Sequence, residues 1–97
     1  MKTYIVNNLF VKGLDREILF DRAYLYVHEA GSISWSLEVN GVEQIDTFVQ
    51  ASRNKERLNI TFSAEYMSGL SGNVMVKGRI NDSVELDGSG KLNGFND

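Results

Sequence analysis

Apolar and polar residues alternate with a period of two along much of this 97-residue chain. In "ISWSLEV", Ile33, Trp35, Leu37 and Val39 fall on one side, with Ser34, Ser36 and Glu38 on the other. "LNITFSAEY" repeats the pattern, setting Leu58, Ile60, Phe62, Ala64 and Tyr66 against Asn59, Thr61, Ser63 and Glu65. Successive side chains of a strand point to opposite faces, so both segments read as strands with one buried face. Asn40-Gly41 separates Val39 from Val42, and such a pair adopts the positive φ angles of a tight hairpin turn. The pattern predicts a hairpin joining residues 32–39 to 42–51.

Turn residues divide the remainder. Lys12-Gly13 ends a first strand over 3–12, and "EAGS" (29–32) ends a second over 16–29. "SRNKE" (52–56) precedes a fifth strand, "SGLSGN" (68–73) a sixth and "NDS" (81–83) a seventh. The expectation is one all-β domain over 1–97, a single antiparallel meander of about seven strands, barrel-like or folded as a sandwich. Proline is absent, so no strand edge is protected by it, and closure into a barrel would remove the edges. A helix over 42–57 is the rival for one segment, because Val42, Ile45 and Val49 recur at near-helical spacing. The Asn-Gly turn, which needs a partner strand, favours the strand.

Composition narrows the function classes. Hydrophobic residues make up 42% and charged residues 24%, the balance of a globular chain rather than a disordered one. A net charge of −3 argues against a nucleic-acid binder, which usually carries a basic face. Without cysteine there is no disulfide, thiolate metal site or cysteine nucleophile. The start "MKTYIVNNLFVKG" breaks its apolar run at Asn7-Asn8, unlike a secretory signal. No segment approaches the roughly 20 apolar residues of a membrane span. A cytoplasmic protein with no membrane partner is expected.

The glycine-rich stretch "SVELDGSGKLNGF" (83–95) invites a phosphate-loop reading. Such a loop leads into a helix and carries Lys-Ser or Lys-Thr, whereas Lys91 precedes Leu92. Parity gives another account: Val84, Leu86, Gly88, Gly90, Leu92 and Gly94 share one face. The preceding segment does the same with Val74, Val76, Gly78 and Ile80. Inward glycines leave room for a bulky group, and Trp35, Phe62 and Tyr66 are the candidates to fill it. If they do not, Trp35, Tyr66, Gly88 and Gly90 outline a cavity for a small molecule. A branched side chain at Gly90 is expected to meet filled space.

Catalysis has little to draw on. His28 is the only histidine, and on a strand its neighbour Glu29 points to the opposite face. No G-x-S-x-G pattern occurs, and zinc would need three or four ligands. No enzyme activity, metal or cofactor is expected. Arg53, Lys55 and Arg57 lack flanking aromatics for base stacking and read as a solvated turn. "DRAYLYVHE" is more informative, with Ala23, Leu25 and Val27 on one stripe and Arg22, Tyr24, Tyr26 and His28 on the other. Tyrosine and arginine are enriched at interfaces. The leading expectation is a non-catalytic module presenting this sheet face, or an edge, to another protein or to itself as a homodimer. The alternative is a β-barrel carrier of a small-molecule ligand.

Overall fold

A computed structural model describes residues 1–95. Six strands form one antiparallel sheet that closes on itself: β1 (Lys2–Val11), β2 (Arg22–Ala30), β3 (Ser32–Asn40), β4 (Leu58–Ala64), β5 (Met67–Ile80) and β6 (Ser83–Asn93). A helix, α1 (Ile45–Asn54), joins β3 to β4. The order around the barrel is β1-β2-β3-β6-β5-β4. Two three-stranded meanders are therefore stitched together twice, by the β1–β4 and β3–β6 ladders. Closure gives every strand a neighbour on both sides without proline, in line with the expectation of a barrel.

The alternating stripes face inward. Val6, Leu9, Leu25, Leu37, Val39, Ile60, Phe62, Leu70, Val74 and Leu86 all belong to one buried cluster. Strand β1 keeps this up only by means of a bulge, where the register jumps from Val6↔Ala64 to Asn8↔Ser63. One extra residue reverses the parity, so both Val6 and Leu9 point inward although three positions apart. The Asn8 carboxamide oxygen accepts the Ser63 N–H at 3.0 Å and holds the bulge.

The expected strand over 42–51 is a helix instead, which accounts for six strands rather than seven. Strand β3 already pairs with β2 on one side and β6 on the other, so no third strand can join it. Gly41 does turn the chain at φ +71, but away from β3. The Val42 N–H donates to the Asp82 carbonyl and the Glu43 N–H to the Leu19 carbonyl, each at 2.9 Å. From there the three-residue recurrence of Ile45, Phe48 and Ala51 makes an inward helical stripe, with Phe48 and Ala51 fully buried. Lys55 ends the helix in the left-handed region (φ 54). Its N–H reaches the Ser52 carbonyl and the Glu56 N–H the Ala51 carbonyl, the paired bonds of a Schellman stop.

Two further boundaries move. The predicted second strand starts at Arg22 rather than 16, and the segment before it buries Ile18, whose N–H donates to the Leu9 carbonyl at 2.8 Å. The turn expected at 68–73 comes earlier, at Glu65-Tyr66, and β5 runs through Ser68–Asn73.

Candidate functional site

On β2, burial of Ala23, Leu25 and Val27 turns Arg22, Tyr24, Tyr26 and His28 outward. The tyrosines are half-buried, while Arg22 and His28 are exposed at opposite ends of the row. The Tyr24 and Tyr26 rings meet with centroids 6.4 Å apart and planes tilted by 37°. Strand β1 places Ile5 beside Tyr24 and Thr3 beside Tyr26. Strand β3 places Glu38 opposite Tyr24 and Ser36 opposite Tyr26. Farther around, β6 sets Glu85 against Glu38 and Asp87 against Ser36. The result is an aromatic and aliphatic patch with carboxylates along one side.

Those carboxylates act on Tyr26. Its phenol is pushed above its ordinary pKa of 10.0, first by burial and then by the negative charge of nearby Glu38. Both effects penalise the phenolate, so the hydroxyl remains a proton donor on this face. Glu38, Glu85 and Ile5 belong to the patch but were not singled out in the sequence. Their proximity depends on strand register, which no local pattern reveals.

The four residues expected to outline a cavity do not do so. Trp35 is buried and stacks on Phe62, with centroids 6.2 Å apart. Its indole lies directly over Gly88 and Gly72, so that a Cβ on either would overlap it. The glycines make way for the tryptophan, as the parity argument proposed for Gly88. Gly90 is different. The β5–β6 register jumps from Asn73↔Ser89 to Ser71↔Asn93, and Gly90 occupies the extra length at φ +82 with nothing within 4 Å of a Cβ. Its carbonyl accepts the Trp35 indole N–H at 3.1 Å. Gly90 therefore supports Trp35 through its backbone rather than by leaving inward space.

Tyr66 is a second correction. It is 98% exposed, because the chain turns at Glu65-Tyr66 and Tyr66 takes φ +65. Glu65 secures that turn through its N–H to the Ile5 carbonyl at 2.9 Å and its carboxylate to the Ile5 N–H at 2.6 Å. Arg53 lies in the last turn of α1 and Lys55 at its C-cap, a placement that suits the negative end of the helix dipole.

Among the described residues, no group of three or more His, Asp and Glu is arranged to hold a metal ion, and no helix is long and apolar enough to cross a membrane. In comparisons with known proteins, the chain matches no family model, no curated protein and no solved structure.

Proposed function

We propose that this chain is a non-catalytic interaction module whose outer β2 face binds a protein. The Tyr24–Tyr26 ring pair carries this reading. The two rings touch each other on the outside of a barrel whose inside is already filled. Half-exposed tyrosines offer rigid apolar area with hydroxyls at the rim, the profile of interface anchors. Ile5, 50% exposed beside them, extends the apolar area. The sheet face rather than an edge carries this reading, since every strand has a neighbour on both sides. The carrier alternative draws no support from the interior, where Trp35 occupies the room beside Gly72 and Gly88.

The test is site-specific photo-cross-linking. A photoreactive phenylalanine at Thr3, beside Tyr26, should capture one protein, identified by mass spectrometry; a second copy of the chain is an acceptable answer. The same probe at Lys55, on the helix, should not capture it. Changing Tyr24 and Tyr26 together to Ser should abolish the cross-link and weaken association by about 1 kcal/mol or more. An equal cross-link from Lys55, or one that survives the double change, would remove the tyrosine face from consideration.

A further inference from the structure

Gly78 is a strand glycine that neither a positive φ nor a close neighbour accounts for. Six of the nine glycines sit at positive φ: Gly13, Gly31, Gly41, Gly69, Gly90 and Gly94. Gly72 and Gly88 lie beneath the Trp35 indole. Gly78 has neither reason, and nothing lies within 4 Å of the Cβ it lacks. It follows a bulge in β5, between Val76 and Gly78, yet its φ demands no glycine there. Glycine weakens a strand, and one with open space at its missing Cβ leaves the backbone accessible to close approach from outside.

That place is a groove of about 360 Å³ between β3 and the β5–β6 hairpin, lined by Glu38, Asn40, Gly78, Ile80, Ser83 and Glu85. One wall is apolar, since Ile80 is 77% exposed. The opposite wall is acidic, because Glu38 and Glu85 are direct cross-strand partners. Like charges so placed oppose pairing. Lys77 relieves Glu85, with its ammonium 3.5 Å away. Among the described residues, Glu38 accepts a hydrogen bond from the neutral Asn40 amide at 3.3 Å, and no described cation pairs with it. Arg79, also on the groove, turns its guanidinium to the Asn81 carbonyl at 2.8 Å.

We propose that this groove receives an arginine side chain from the protein that binds the β2 face. The guanidinium pairs with the Glu38 carboxylate, and the aliphatic stem lies over Gly78 against Ile80. A planar fork of donors suits a carboxylate whose present partners are neutral. Glu38 links the two surfaces, being the cross-strand partner of Tyr24 and a wall of the groove. The identity of the arginine's carrier rests on the interaction reading above; the groove's preference for a guanidinium does not.

The probe is N-acetyl-arginine N-methylamide, titrated into isotope-labelled protein and followed by NMR. Saturable shifts should centre on Glu38, Gly78 and Ile80. Gly78→Leu should fill the groove, fold normally and weaken binding by about tenfold or more, with Gly78→Ala falling between it and the parent. Glu38→Gln should weaken binding by at least about fivefold, a loss of roughly 1 kcal/mol. Glu43→Gln, with the same change in net charge at the exposed entry to α1, should leave it within about twofold. No saturable shift in the parent, undiminished binding by Gly78→Leu, or equal losses from Glu38→Gln and Glu43→Gln would each overturn the proposal. No cross-link from the Thr3 probe, or one that survives the Tyr24 and Tyr26 change, while arginine still binds would sink the tyrosine face and keep this groove; the expected cross-link without arginine binding would sink the groove alone.

Discussion

At one end of the barrel, closure comes from an added layer. Helix α1 contributes Phe48 and Ala51, the segment before β2 contributes Ile18, and the Gln44 side chain ties the two together. Its carboxamide oxygen accepts the Leu19 N–H at 2.9 Å, and its amide donates to the Glu17 carbonyl at 2.8 Å. Toward the other end no helix is present among the described residues, and one side chain takes over. Trp35 spreads across Gly72 and Gly88 and is pinned by the Gly90 carbonyl. The first arrangement distributes closure over several replaceable contacts. The second concentrates it in one ring and three glycines, and should tolerate far less change.

Trp35→Ala tests that contrast most severely. Emptying a buried aromatic site costs about 3–5 kcal/mol, and chemical denaturation should report a loss of that size; a loss under about 1 kcal/mol would mean that the ring is not a keystone. Gly88→Val comes next, at about 1–3 kcal/mol, because the branched side chain is forced into the indole. Gly90→Ala should cost about 1 kcal/mol for a different reason, its left-handed backbone. Equal sensitivity to bulk at 88 and 90 would contradict the distinction between them.

Gln44→Ala probes the layered end and should cost about 1 kcal/mol, since two hydrogen bonds to exposed backbone are lost. The sharper readout is local: the Leu19 amide should exchange faster with solvent while the barrel strands keep their protection. Unchanged Leu19 exchange would show that the side chain does not hold the loop. The smallest effect lies on the flank between the ends. Tyr26 has a raised pKa in the fold, so its contribution to stability is complete below the unfolded value near 10. That contribution fades as pH rises through the higher folded value. Phenolate absorbance should therefore show one tyrosine titrating late, and Tyr26→Phe should remove that late component.

The sequence revealed the parts of this molecule that depend on neighbours along the chain. Alternation in β2, β3, β4 and the first half of β6 is plain, and it places Trp35 and Gly88 on inward faces. The parts that depend on insertions were hidden. Bulges at Asn7 and around Gly90 change parity without a marker that differs from ordinary turn chemistry. Tyr66 looks inward from sequence because the alternation continues two residues past the end of β4, into the turn. Helix α1 was missed because Asn40-Gly41 is a genuine turn whose hairpin partner was displaced by β6, a strand more than forty residues later. The proximity of Glu38 to Glu85 and Gly78 is likewise a matter of register.

Barrel closure also has a consequence in time. Strand β1 finds its second neighbour only when Ala64 and the residues before it exist, and β3 only when Val84–Asp87 do. During synthesis, which delivers the chain from its N-terminus, a β1–β3 sheet formed alone would have two bare edges and no proline to blunt them. Sheet edges of this kind recruit strands from other molecules. A barrel whose strands all end with two neighbours is thus reached through a stage in which two of them would have one.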